Sequence, residues 1–261
     1  MTKPDRILVL AAHGSSHPRA RKALEAFATL ARRKHPGLQV LLGYTATPRP
    51  GGHPALSAGH GLKDILAGLE SQARLDLRVK SLHVIAGDEF EHMRRELSDF
   101  ALRRGARLTL AGPLLADSRD VPGVAQALAE CLDGDEAVVL MGHGTTHEAQ
   151  DLYRLLAARL GELLPMARLG VLEAADVGDP LSIRAIARDL AAAGIRRARL
   201  LPFLTVAGRH AHNDLAGDKP ESWKSLLAGL GIEGVPDLAG LVEREAFTGI
   251  WLDAIRILAD S

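Results

Sequence analysis

Residues 7–20 read ILVLAAHGSSHPRA, and residues 137–150 read AVVLMGHGTTHEAQ. Each is a short apolar run that stops at a His-Gly pair, followed by two hydroxyl residues and a second His. An apolar run of this length, ending in turn-forming residues, reads as a strand buried on both faces, as strands of a parallel sheet are when helices cover both sides. His13 and His143 stand 130 positions apart in a chain of 261 residues, so each half carries one copy at its own first strand. A duplicated α/β unit follows.

Working outward from these copies, residues 38–44, 81–86, 107–112, 168–173 and 197–204 are further short apolar runs. Residues 18–34, 63–75, 89–104, 119–132, 147–164, 180–193 and 240–258 carry helical spacing. Strand and helix alternate throughout, the pattern of a doubly wound fold. A weaker echo links SLHVIAGDEFEH in the first half to LPFLTVAGRHAHND in the second. The expectation is an α/β protein of two similar doubly wound parallel-sheet domains, 1–132 and 133–261, parted at the polar turn Asp133-Gly134-Asp135-Glu136. Residues 45–61, TATPRPGGHPALSAGHG, break any helical period and read as a loop.

Composition bounds the function. With 47% hydrophobic and 25% charged residues the chain has the make-up of a folded globular protein. Lys plus Arg (32) balance Asp plus Glu (32), so no global field exists to hold a nucleic acid. Aromatic residues at 3% leave little for a base-stacking surface. The single Cys131 cannot form an internal disulfide or a thiolate cluster and sits in the apolar pattern VAQALAECL, as a core residue does. Lys3 and Arg6 precede ILVLAA, a run too short for a signal-peptide core, and no stretch approaches the ~18 apolar residues of a membrane span. The expected setting is the cytoplasm.

In open α/β sheets ligands bind at the carboxyl ends of the strands. The polar residues there are His13, Asp88, Glu89, His143, Glu173, His210 and His212. Imidazoles and carboxylates converging from several strand ends suit a divalent transition metal such as Co, Ni, Fe or Zn. A lone His at a strand end is more often a hydrogen-bonded structural residue, and that reading applies to His13, His17, His83 and His147. His53 and His60 in the Pro/Gly loop read as solvated. His143 stands out because Gly on both sides allows close backbone approach to a ligand. On an extended segment His210 and His212 face opposite ways, so one of the two enters a site. Glu89 and Glu91 open a helix, where carboxylates favour the dipole regardless of function. Glu173 closes an apolar run and, if buried, needs a partner that a metal would supply.

Together SLHVIAGDEFE, MGHGTTH, GVLE and LPFLTVAGRHAHND followed by SWK resemble the anaerobic sirohydrochlorin cobaltochelatase family, class II chelatases that insert a divalent metal into a tetrapyrrole. The likeness runs in order along almost the whole chain and fits the two-domain long form. The resemblance implies two similar α/β halves with the tetrapyrrole in a cleft between them, the second half carrying most of the metal ligands. It implies His143, Glu173 and His210 as the metal ligands, His143 and His210 also serving catalysis, and Glu89 as a further acidic catalytic residue that accepts or passes on protons. The partners implied are sirohydrochlorin and a divalent ion, with no nucleic acid and no membrane; a homo-oligomer is compatible. No cofactor is expected beyond the substrate metal, Co2+ first, with Fe2+ or Ni2+ as alternatives that the same ligand set accepts. Arg209, beside His210, is a candidate for the carboxylates of the macrocycle.

The first motif, AAHGSSH, departs from the long cobaltochelatases, which carry an aromatic residue at the position of His13; His13 is then an extra ligand or a relic of duplication. The Pro/Gly loop also differs from the basic segment expected there. Two other classes compete. A histidine-dependent phosphoryl transferase needs Arg directly before the His, where Ala12 and Gly142 stand. A non-catalytic metal or haem carrier on the same fold would bind without turnover. No Walker-type Gly-rich loop is present, in keeping with an ATP-independent reaction.

Overall fold

The computed structural model describes residues 5–46, 61–72, 74–132, 134–174 and 176–260. Most of the loop at 45–61, with His53 and His60, lies outside the described residues, as does Asp133.

The chain forms two compact units, Met1–Ala116 with Thr248–Ser261, and Asp117–Phe247. In unit 1 the opening stretch is strand β1 (Asp5–Ala12), followed by helix α1 (Pro18–Lys34), β2 (Gln39–Tyr44), α2 (Leu62–Gly68), β3 (Leu75–Ser81), α3 (Asp88–Arg104) and β4 (Arg107–Ala111). The four strands make one parallel sheet in the order β2-β1-β3-β4. Ile7, Val9 and Ala11 point to one face and pack with Leu77 and Val79 against Leu62 and Leu66 of α2 and Phe90, Met93, Leu97 and Phe100 of α3. Leu8 and Leu10 point to the other face and are equally buried. An uninterrupted apolar strand is the consequence of helices on both faces. α3 has Asp88, Glu89 and Glu91 in its first turn and Arg103 and Arg104 in its last, each sign at the end of the helix dipole that favours it.

The third strand departs from the apolar pattern. Residues 81–86 were the expected strand, yet β3 is LDLRVKS and SLHVIA supplies only its last residue and the loop beyond. The reason lies in three charged residues that the sheet buries with partners. Arg78, 1% exposed, donates from Nε and Nη2 to Asp76 Oδ2 at 3.3 and 2.9 Å and from Nη1 to the carbonyl of Leu258. Lys80 donates to the carbonyl of Gly112 at 2.5 Å. Charges buried with this much company are tolerated, and hydropathy alone passes over such a strand.

Unit 2 repeats the plan. Helix α4 (Val121–Cys131) precedes β5 (Val138–Gly142), α5 (Gln150–Leu163), β6 (Ala167–Val171), α6 (Ile183–Ala192), β7 (Arg197–Pro202), α7 (Trp223–Ala228), β8 (Glu233–Pro236) and α8 (Glu245–Asp260). Its parallel sheet has the order β6-β5-β7-β8, strand for strand the order of unit 1. Val139, Met141, Leu200, Ile186 and Trp223 build its core. α7 and β8 were not expected from the sequence; both are short, at six and four residues.

The units divide at Asp117 rather than at 133. α4 packs on α5 and so belongs to unit 2. From Thr248 onward α8 belongs to unit 1, where Trp251 meets Phe27 of α1 edge-to-face at 5.9 Å. Arg6 and Arg78 bind the carbonyls of Ala259 and Leu258 at the end of α8, the end at which a helix dipole favours cations. A boundary drawn from local composition misses this return of the chain. Among the described residues no helix is long and apolar enough to cross a membrane.

Candidate metal centre

β5 ends at Gly142, and His143 is the first residue beyond it. Gly144 follows with φ +85°, and a Cβ there would lie 2.8 Å from Glu173 Cβ. Both glycines flanking His143 make room for protein side chains, since a Cβ at Gly142 would also meet the Tyr153 ring, at 2.6 Å. Tyr153, on α5, is 1% exposed, and its phenol oxygen accepts the backbone N–H groups of Gly144 and His143. Burial pushes that phenol up from its ordinary range, and the two N–H donors offset only part of this. The His143 loop is thus pinned from beneath. His147 Nδ1 accepts the Ala149 N–H at 3.2 Å ahead of α5, the structural role expected of it.

Glu173 is brought to His143 by the backbone, its N–H donating to the His143 carbonyl at 3.1 Å. Its side chain is half-exposed, 47%, so the condition under which it would need a partner, burial, is not met. Glu173 Oε1 lies 3.8 Å from His143 Nδ1, too far for a hydrogen bond, and Nδ1 faces the Gly144 carbonyl at 3.3 Å. The His143 and His210 rings stand edge-to-face with centroids 4.8 Å apart. His210 Nδ1 is 2.6 Å from Asp214 Oδ2. Two imidazoles and a carboxylate therefore share one surface of unit 2, all half-exposed. Among the described residues no three His, Cys, Asp or Glu side chains already close around a point as metal ligands; the two imidazoles are turned by contacts of their own, to the Gly144 carbonyl and to Asp214.

The segment holding His210 and His212 is not extended. It is helical and leads into a π turn, Ala211–Leu215, so the expected alternation of the two residues does not apply. Ala211 and Leu215 are fully buried and anchor the turn, leaving His210 and Asp214 on its open side. Arg209 is exposed.

Glu89 belongs to a second cluster, in unit 1. His13 Nδ1 lies 2.6 and 2.7 Å from its two oxygens, Thr45 Oγ1 donates to Oε1 at 2.5 Å, and His83 Nε2 stands 3.6 Å away. His83 is itself held by Ser81 Oγ at 2.8 Å and Thr45 Oγ1 at 3.1 Å. Burial alone would raise the Glu89 carboxyl; the hydrogen bond of His13 and the nearby His83 imidazole outweigh it and hold the group well below the usual carboxylate range.

The two clusters occupy equivalent places. The Ala46 N–H donates to the His13 carbonyl as that of Glu173 does to His143, and Leu82 N–H to Ala11 as Phe203 N–H to Met141. Glu89 and His210 each lie seven residues past that last pair, Leu82 and Phe203, in the first turn of a helical segment. Gly14 and Gly144 share φ near +88° and +85°, and Ser15 and Thr145 accept the His17 and His147 N–H at 3.1 Å alike. Unit 1 thus has Glu89 where unit 2 has His210, and Ala46 where unit 2 has Glu173. Sequence reasoning missed Asp214, Tyr153 and Thr45. The spacing of four from His210 to Asp214 would have exposed the first, had the segment been read as helical.

Residues 6–259 match the cobalt chelatase (CbiK) family. Sirohydrochlorin cobaltochelatase CbiKC of Nitratidesulfovibrio vulgaris is 35% identical over 257 residues, covering 94% of this chain and 88% of that protein. The sirohydrochlorin cobaltochelatase of Salmonella typhimurium is 36% identical over 189 residues, covering 70% of this chain and 69% of its own length. Among solved structures, SirB from Bacillus subtilis with Fe3+ superposes with a TM-score of 0.66 at 16% identity, covering 98% of this chain and 96% of that one. CbiX, the terminal enzyme for siroheme biosynthesis in denitrifying bacteria, follows at 0.58 and 19%, covering 97% and 98%. These last two share the fold. With a family match over nearly its full length and relatives above one-third identity, the chain belongs to the cobalt chelatase (CbiK) family.

Proposed function

We propose that the protein is a sirohydrochlorin cobaltochelatase: it inserts Co2+ into sirohydrochlorin, two pyrrole N–H protons leaving as the ion enters, without ATP. The observation that carries this is the meeting of His143, His210 and Glu173 on one surface of unit 2 in a chain of this family. Imidazole nitrogen and carboxylate oxygen are donors suited to Co2+. Glu173 neutralises part of the ion's charge, and holding ion and macrocycle face to face is mainly a matter of positioning. Neutral imidazole both binds metal and accepts a proton, so His143 and His210 serve binding and proton removal in turn.

Glu89 acts through His13. A carboxylate held this firmly ionised is a poor proton acceptor, but the imidazole in contact with it has a nitrogen that can carry a proton. The His13–Glu89 pair therefore takes up protons on His13, with Glu89 stabilising the imidazolium. Arg209 is assigned to the carboxylates of the macrocycle. No cofactor beyond the substrate metal enters the scheme. A reducing cytoplasm suits a chain with one cysteine.

An anaerobic absorbance assay with sirohydrochlorin and Co2+, Fe2+ or Ni2+ supplied separately tests the proposal. Enzyme-accelerated insertion ranks the metals, and Fe2+ or Ni2+ outrunning Co2+ would replace the cobalt assignment. His143→Ala and His210→Ala are expected to abolish insertion while remaining folded; full activity in both removes the site. Binding of metal or macrocycle without turnover would point to a carrier.

A further inference from the structure

We propose that Asp214 is a positioning residue for His210, fixing that imidazole in the tautomer and orientation in which Nε2 receives a divalent cation. This rests on the assignment of His210 as a metal ligand. The contact between His210 Nδ1 and Asp214 Oδ2, 2.6 Å, is at the short end of hydrogen bonds to charged groups. A carboxylate only accepts, so the proton of the pair lies on Nδ1 and the lone pair on Nε2. Metal-binding imidazoles generally give their second N–H to such an oxygen, which orients the ring and strengthens it as a donor. His143 has only the weaker contact to the Gly144 carbonyl at 3.3 Å.

Two features of the backbone single out the pair. The Ala216 N–H donates to the Ala211 carbonyl at 3.2 Å, the i→i+5 bond of a π turn, a rare conformation that recurs at functional sites. Its apolar residues, Ala211 and Leu215, are buried, so the turn is rigidly seated while His210 and Asp214 stand on its half-exposed side. In unit 1 the position of His210 is held by Glu89, and the residue four further on is Met93, buried in the core. The repeated fold itself therefore makes no demand for a carboxylate at this offset; the demand arises with the imidazole.

The test is Co2+ binding to the full-length protein without macrocycle, read by competition with a chromogenic chelator and by the Co2+ ligand-field spectrum. Asp214→Ala is expected to weaken Co2+ binding about 10–100-fold and to change the spectrum, with Asp214→Asn, which keeps an acceptor but no charge, falling between it and wild type. In a His210→Ala background Asp214→Ala should add less than about twofold, because a residue acting through another has nothing left to act on. Far-UV circular dichroism checks the fold of each variant, and Asp214→Asn serves should Asp214→Ala not fold. If His210→Ala loses affinity while Asp214→Ala stays within about twofold of wild type, the positioning role is overturned and the ligand assignment stands. If His210→Ala itself binds Co2+ as wild type does, the ligand assignment falls and the positioning role with it. A full additional loss from Asp214→Ala on top of His210→Ala also overturns the proposal, since Asp214 then acts independently of His210.

Discussion

Gly144→Ala separates the cost of a strained loop from the cost of a displaced ligand. At φ +85° any L-residue other than glycine pays about 1–2 kcal/mol for the left-handed conformation. The added Cβ would also lie 2.8 Å from Glu173 Cβ, 3.0 Å from its Cγ and 3.1 Å from Val171 Cβ. Val171 sits in the sheet and Glu173 beyond its end, so Glu173 is the group that moves. Two controls isolate the terms. Gly105→Ala, at φ +61° with nothing within 4 Å, carries backbone strain alone and should cost about 1 kcal/mol. Gly14→Ala, at φ +88° with Tyr44 Cγ at 2.9 Å, carries strain and a clash in unit 1. Gly144→Ala and Gly14→Ala should each lose about 2–4 kcal/mol, strain plus overpacking. Denaturant unfolding gives these values, and Co2+ titration gives the second half of the test. Gly144→Ala should weaken Co2+ binding by about tenfold, one misplaced donor corresponding to about 1.4 kcal/mol, while the two control variants bind as wild type. Unchanged Co2+ affinity in a folded Gly144→Ala protein would refute the claim that Glu173 must sit beside His143.

Tyr153→Phe removes the acceptor of the Gly144 and His143 backbone N–H groups and should cost about 1–3 kcal/mol, lowering the melting temperature; an unaltered melting curve would show the loop to be held otherwise. Glu89→Gln should flatten the acid limb of the stability profile. The folded carboxyl lies below its ordinary value of 4.5, so its contribution is complete above that pH and is lost as the pH falls through the lower folded value. Melting temperatures from pH 6 down to about 2.5 check this, and parallel curves for variant and wild type would contradict it. Arg78→Ala leaves the Leu258 carbonyl without its donor and Asp76 with only the longer Arg6 contact at 3.8 Å, at an expected cost of about 3–5 kcal/mol; a loss below 1 kcal/mol on denaturation would mean that Arg6 and the apolar face of α8 suffice to hold it.

The duplicated His-Gly stretches made the fold readable because a strand covered on both faces must be apolar along its whole length, and six of the eight strands fall on the runs that the sequence marks. β3 escaped because its buried charges are paired in three dimensions, with Asp76 on the same strand but with Leu258 180 residues away, and no local pattern encodes that pairing. The unit boundary escaped for the same reason: Trp251 and Phe27 lie at opposite ends of the chain. At the site, strand-end reasoning picked out His143, Glu173 and His210, and the structure does bring these three together. Strand-end reasoning also picked Glu89, expected as a further acidic catalytic residue, and its hydrogen bonds run to His13 and Thr45 in unit 1. Asp214 was hidden by taking 209–214 as extended. A π turn has no sequence signature comparable to an amphipathic period, so its contacts appear only in three dimensions.

The divergence of the two copies bears on why the proposed ligand set falls in the second. In unit 1 the carboxylate and the imidazole are committed to each other: Glu89 takes His13 on both oxygens and Thr45 on one, and an arriving cation would have to break bonds that already satisfy the charge. In unit 2 the carboxylate comes from the strand-end position that Ala46 fills in unit 1, and it stops 3.8 Å short of His143 Nδ1. His210, in the place of Glu89, turns its Nδ1 away to Asp214. The same backbone frame thus gives a self-neutralised pair in one half and three donors with uncommitted lone pairs in the other. A metal competes with protein hydrogen bonds for each donor atom, so the half that spends fewer of them internally holds the ion more tightly. Moving the carboxylate, by Ala46→Glu with Glu89→His in unit 1, should then raise the Co2+ stoichiometry of the full-length protein, and an unchanged stoichiometry would show that donor placement alone does not make the site.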